Sequence, residues 1–221
     1  MKNLRRLALL ALAPALLAGC ARGDSPVDPI VEDEHIRFTF NGTTHTGSFE
    51  AQGEPRVDSN RNLQYGTMAT GVTLTGVSED AILVFGYQAT GNNRGNGLGF
   101  YLSHAATGQF TVGQSCDRAV QQCARLQFSP STPLSLTGSE QPESVYFATS
   151  AVVNVAEITA TMMRGSFSGT LEAKNAQGHV VETTTVTNGS FQVAIRPSNF
   201  FGGSVSTFNP NSPAGEPGFV Y

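Results

Sequence analysis

The chain has 221 residues with 17 acidic and 13 basic side chains, a formal net charge of −4, and no tryptophan. Three of the basic residues, Lys2, Arg5 and Arg6, precede an apolar run ending at Cys20. A chain trimmed there keeps ten basic residues against 17 acidic ones, a net charge near −7, with Lys174 as its one lysine. Such a surface has no footprint for phosphate backbones, which excludes nucleic acid as a partner. It also repels anionic headgroups, so membrane attachment has to come from something other than charge.

Residues 7–17 form an apolar stretch interrupted only by Pro14. Behind the positive residues 2–6 it reads as a secretory signal, too short for a permanent membrane helix. It ends in Leu16-Leu17-Ala18-Gly19-Cys20, a lipobox: the small Ala18-Gly19 pair admits a peptidase to the backbone, and Cys20 supplies the thiol for acylation. Arg5-Arg6 lacks a preceding Ser or Thr, so the general export route is expected rather than the twin-arginine one. The segment resembles bacterial lipoprotein precursors. That resemblance implies removal of residues 1–19 and acyl chains, palmitate among them, on Cys20. More than one chain gives stable anchoring. Ala21, in place of the Asp that retains lipoproteins at the inner membrane, implies the outer membrane, facing either the periplasm or the surface.

Residues 20–34 are polar and carry Pro26, Pro29 and the acids Asp24, Asp28, Glu32, Asp33 and Glu34. That composition reads as a tether without a core of its own, reaching roughly 45–50 Å from the lipid when fully extended. From His35 the pattern changes to period two. Ile36, Phe38 and Phe40 alternate with Arg37 and Thr39, a half-buried strand. Asn41-Gly42 then predicts a type I′ turn, with 43–49 returning.

Further strands are predicted at 63–69, 72–77, 81–88, 98–103, 109–112, 124–128, 145–150, 152–161, 164–173, 180–187 and 190–195, with 90–97 as a glycine- and asparagine-rich loop. The run 81–85 is apolar on both faces, as in a doubly covered strand. The apolar phase slips between Val155 and Ile158, which predicts a bulge or a break. Strands at this spacing, without helical periodicity, give an all-β fold: one antiparallel β-sandwich or flattened barrel over 35–196, followed by a Gly/Pro/Ser/Asn-rich tail over 197–221. The tail's aromatics do not alternate as lipid-facing strands would, so a transmembrane barrel is rejected.

Cys116 and Cys123 enclose six residues. In an oxidising compartment such a pair reads as a disulfide, closing a loop worth about 2.5 kcal/mol on the chain-entropy model. The spacing is neither a redox C-x-x-C nor a metal site.

Late in the chain, Gly165-Ser166-Phe167-Ser168-Gly169-Thr170 is followed by Thr187-Asn188-Gly189-Ser190-Phe191. The first segment reads as a strand approached closely at its glycines. Residues 175–178 read as a turn, and Asn188-Gly189 as a tight turn or bulge. At these residues the chain resembles small Gram-negative lipoproteins of unknown function with a lipobox and a β-rich domain ending in a G-x-F-x-G-T … T-x-G-x-F ribbon. The resemblance implies a β-sandwich on a lipid anchor and carries over no catalytic residue.

Few side chains stand in a spacing that points to chemistry. His35, His45, His104 and His179 stand in no metal-binding spacing. His104 follows a strand and is a candidate ligand or base whose default reading is a surface histidine. Glu79-Asp80 and Glu140/Glu143 are candidate paired carboxylates whose default reading is solvated loop acids, and a cleft joining His104 to Glu79 or Asp80 would make a hydrolase site. No Gly-x-Ser-x-Gly elbow is present and Lys174 has no Ser-x-x-Lys partner. Asp58-Ser59-Asn60-Arg61-Asn62 alternates oxygens as a calcium loop does, but Arg61 interrupts it and an Asx-rich turn is the simpler reading. Without tryptophan, only Tyr65, Tyr87, Tyr101 and Tyr146 remain as sugar-stacking platforms within the domain, and the lipocalin Gly-x-Trp is missing. The expectation is a lipid-anchored envelope module that is not an enzyme, has no cofactor or metal, and binds an envelope protein or a small molecule. A calycin-like carrier and an envelope hydrolase are the alternatives.

Overall fold

The computed structural model describes residues 33–57, 63–72, 81–91, 94–112, 122–133, 144–175 and 177–196. The described part is all-β. Its strands are β1 (His35–Gly42), β2 (Thr46–Gln52), β3 (Arg56–Val57), β4 (Leu63–Val72), β5 (Ala81–Gly91), β6 (Arg94–Leu102), β7 (Gly108–Val112), β8 (Ala124–Pro133), β9 (Tyr146–Ile158), β10 (Met162–Lys174) and β11 (Val180–Ala194). They form one antiparallel sheet in the order β2-β1-β11-β10-β9-β8-β6-β5-β4-β3, with β7 beside β9.

The sheet curls until its ends meet, giving a flattened, nearly closed barrel. Ala69 of β4 bridges Ile195, and the Arg196 and Thr67 backbone N–H groups donate to Ala69 O and Gly53 O, each at 2.8 Å. Inside, rings from opposite walls interlock. Phe38 of β1 lies 5.3 Å from Phe128 of β8, edge to face, and Phe100 of β6 lies 5.0 Å from Phe191 of β11. Each fully buried ring contributes about 1.5–3 kcal/mol. Ile82 and Val84 of β5 face this core while Ala81, Leu83 and Tyr87 are buried on its other side, the double cover that the apolar run predicts.

The outward face of the opposite wall is mostly polar, with Val152 and Val181 among its exposed residues. One cross-strand row runs Thr46, Asn41, Thr185, Thr170, Ser150 through five strands. A lipid-facing barrel would be apolar there.

Three local expectations are corrected. Asn41-Gly42 is not the first turn: Asn41 pairs with Thr46 and Gly42 N–H donates to His45 O at 2.9 Å, so Thr43-Thr44 turn instead. Pairing of β1 to β11 continues to Gly42 opposite Thr184 and carries the strand past the favoured turn residues. The loop predicted over 90–97 is mostly strand, with Gln88 opposite Asn96 and Ala89 opposite Gly95. A side chain at Gly95 would run into the Tyr87 ring, so this glycine admits an aromatic rather than marking a loop. Glu34, counted among the tether acids, belongs to the folded domain. Its carboxylate is buried and receives both terminal nitrogens of Arg196, at 2.8 and 3.0 Å.

Both predicted irregularities are bulges. Arg164 faces Glu157 but Gly165 faces Val155, leaving Ala156 as the extra residue in β9. Asn188, with φ 54°, bulges within a continuous β11, so 180–187 and 190–195 are parts of one strand. Likewise 145–150 and 152–161 merge into β9.

Candidate functional site

The densest set of chemistry-bearing side chains gathers where the β1–β2 turn meets the starts of β9 and β11. In β11, Glu182 shares its strand face with the buried Thr184 and Val186 and so points inward, its side chain 10% exposed. One carboxylate oxygen accepts the Thr44 N–H at 2.6 Å and the His45 N–H at 3.4 Å, and the other accepts the Tyr146 hydroxyl at 2.6 Å. Tyr146 is fully buried. Its oxygen lies 2.9 Å from His45 Nδ1.

Proton counting orders this chain of groups. The single Tyr146 proton goes to Glu182, so His45 Nδ1 must be the donor to the phenol oxygen. Nδ1 therefore carries a proton, which sets the orientation of the ring. Desolvation raises the Tyr146 pKa well above the ordinary phenol value, and the hydrogen bond to Glu182 and its charge add to the shift; a bond with Ser144 opposes it. Desolvation also pushes the Glu182 carboxyl upward, but the bonds from Tyr146, Thr44 and His45 outweigh it, so its pKa falls below the usual value. The carboxylate is ionised and fully engaged in holding the turn.

A second feature lies toward the far end of β2. There Glu50, Gln52, Tyr65, Gln88 and Ala89 line a groove of about 470 Å³. Tyr65 stands between its cross-strand neighbours Arg56 and Gln88, with the Arg56 guanidinium 5.7 Å from its ring centre. Glu50 is held by Arg37 Nε at 2.8 Å and by the Gln52 amide. The Asn96 amide donates to Gln88 Oε1 at 3.3 Å.

No protein-family model, curated protein or solved structure matches the chain.

Of the residues singled out in the sequence, Cys20, Cys116, Glu79, Asp80, Glu140, Glu143 and the segment 58–62 lie outside the described residues, as do 1–19 and 197–221. Cys123 is buried just before β8. Its N–H donates to the Ser103 hydroxyl at 3.0 Å, and its carbonyl accepts the Ser103 N–H at 2.9 Å. The histidines are dispersed: His35 opens β1, His45 follows the first turn, His104 is half-buried after β6, and His179 is exposed before β11. Among the described residues no three His, Cys, Asp or Glu side chains gather as a metal cluster. Of the four candidate tyrosine platforms, Tyr87, Tyr101 and Tyr146 are buried at 2% exposure or less and Tyr65 is 42% exposed.

The His45–Tyr146–Glu182 set is missed by motif searching because its members are 101 and 36 residues apart along the chain. One signal was available: period two in 180–187 puts Glu182 on the inward face with Thr184 and Val186, and an inward carboxylate needs partners.

Proposed function

We propose that the chain is a cell-envelope lipoprotein, held at the outer membrane by acyl chains on Cys20, whose β-domain is a non-catalytic binding or structural module. The observation that carries the module reading is the use made of the interior. Phe38, Phe49, Phe100, Phe128, Phe167 and Phe191 fill the described core, which leaves recognition to the outer surface and favours a surface-binding module over a calycin-like carrier. The most elaborate polar set, around Glu182, holds a turn, which favours a structural role there over a hydrolase's acid–base pair. The mostly polar outer face of the β2-to-β9 wall suits a domain standing in water while a lipid does the anchoring. The resemblance to small Gram-negative lipoproteins and the Cys116–Cys123 disulfide, which would clip the connection into β8, belong to the same proposal.

One preparation tests the anchor. Palmitate labelling should tag the wild-type chain and leave Cys20→Ala unlabelled in the soluble periplasmic fraction. Detergent partitioning that persists in the variant would sink the anchor. Non-reducing peptide mapping of the same material should recover Cys116 joined to Cys123, and free thiols at both positions would defeat the clip.

A further inference from the structure

We propose that the lateral groove beside β2 is a saccharide-binding site, in which one sugar ring lies against Tyr65 and its hydroxyls are held by Gln52 and Gln88. This rests on the reading of the domain as a surface-binding module and names the ligand class.

The ring comes first. The large apolar side chains exposed among the described residues are Tyr65, Val152, Val180 and Val181, so Tyr65 is the one aromatic of that set. A ring left 42% exposed forgoes burial that the other tyrosines achieve. It is nonetheless fixed in place: Arg56 and Gln88 flank it across the strands, and the guanidinium sits 5.7 Å from its centre. With the guanidinium over one face, the exposed remainder of the ring and the polar groups around it suit the C–H face of a pyranose.

The surrounding groups are poised for neutral hydroxyls. Gln88 Oε1 accepts from Asn96, which leaves the Gln88 amide N–H groups as donors to the groove. The Gln52 amide donates to Glu50, which leaves Gln52 Oε1 as an acceptor. Gln52 can therefore accept from one sugar hydroxyl and Gln88 donate to another, since each hydroxyl both gives and takes a hydrogen bond. Charge is balanced locally: Arg37 neutralises Glu50, and Arg56 is set on the tyrosine ring. A phosphate would need a cation cluster and a metal ion a carboxylate cluster, and the described residues of the lining provide neither.

The test uses the full chain in detergent micelles, titrated with maltotriose and with the N-acetylglucosamine trimer by calorimetry. At least one should bind saturably with a dissociation constant of about 0.1–10 mM. Tyr65→Ala should weaken binding about tenfold or more, Gln88→Ala should weaken it severalfold, and Val181→Ala, on a separate exposed surface, should leave it unchanged. Tyr65→Ala should still fold with a single cooperative melt, and Tyr65→Phe should retain most of the affinity. Absence of saturable binding of either sugar up to about 20 mM overturns the site, as does equal binding by Tyr65→Ala. Saturable binding of an extended peptide along β2 with none of sugar overturns it in favour of strand addition, yet leaves the binding-module reading standing. Failure of both classes, with no envelope component cross-linking to the domain, removes the module reading as well.

Discussion

Glu182 shows how a single inward carboxylate organises residues far apart in the chain. It reaches Thr44, His45 and Tyr146, and so sets a hairpin turn that the local sequence would have put two residues earlier. Hydrogen bonds to a charged group contribute about 1.5–3 kcal/mol. Glu182→Gln should therefore destabilise the domain by roughly that amount at neutral pH, because an amide has one acceptor oxygen where the carboxylate has two. The sign of the pH dependence follows from the depressed pKa. A carboxyl lowered in the folded state contributes stability that is fully present above its unfolded value, about 4.3, and that is lost as pH falls through the folded value. Urea titrations from neutral pH down to about pH 3 should show the gap between wild type and variant closing in acid. A gap independent of pH would mean that the carboxylate's charge is not what holds the turn.

The ribbon of β10 and β11 gives the late glycine–aromatic motif a physical meaning at the level of the element. Gly165 sits opposite Phe191, and Phe167 opposite Gly189, so each ring lies over the bare backbone of its partner strand. A Cβ at Gly165 would strike Asn154 O and meet the Phe191 ring at 2.7 Å; one at Gly189 would strike Phe167 O and its ring at 2.7 Å. The motif is a packing device, in which glycines leave room for rings that then reach the core. Gly165→Ala and Gly189→Ala should each cost about 2 kcal/mol or more, as overpacking does, whereas Gly71→Ala, whose Cβ meets nothing within 4 Å, should change stability by about 0.5 kcal/mol or less. Comparable melting temperatures for all three would refute this account. The same strands show what was legible beforehand. Period-two alternation located Phe167, Phe191, Val193 and their neighbours, and the slip near Val155 marked the bulge at Ala156. What local pattern could not give was strand merging and turn placement, because those depend on partners such as Thr184 and Glu182 more than a hundred residues from the first turn. The candidate site was less legible still: Tyr65 was named as one of four platforms, and only tertiary burial of Tyr87, Tyr101 and Tyr146 singles it out.

At the scale of the whole molecule, the seam of the barrel is bridged by a clasp between the residues that flank β1 and β11. Glu34, just before β1, and Arg196, just after β11, form a bidentate pair with side chains 6% and 2% exposed. Arg196 Nη1 also reaches Thr67 O on β4, at 3.5 Å, and its N–H donates to Ala69 O. The clasp therefore joins the first strand, the last strand and the strand across the seam. Removing one member of a buried ion pair leaves the other charge without its partner and typically costs about 3–5 kcal/mol. Glu34→Ala and Arg196→Ala should each fall in that range, while the double variant should cost much less than the sum, since it leaves no orphaned charge. Replacing the pair by Leu and Met should recover most of the stability, because the desolvation cost of the ions goes with them. Denaturant unfolding of the four chains decides the matter. Additive losses of about 1 kcal/mol or less each would mean that the pair behaves as an exposed surface bridge and that the seam is held by its backbone hydrogen bonds instead.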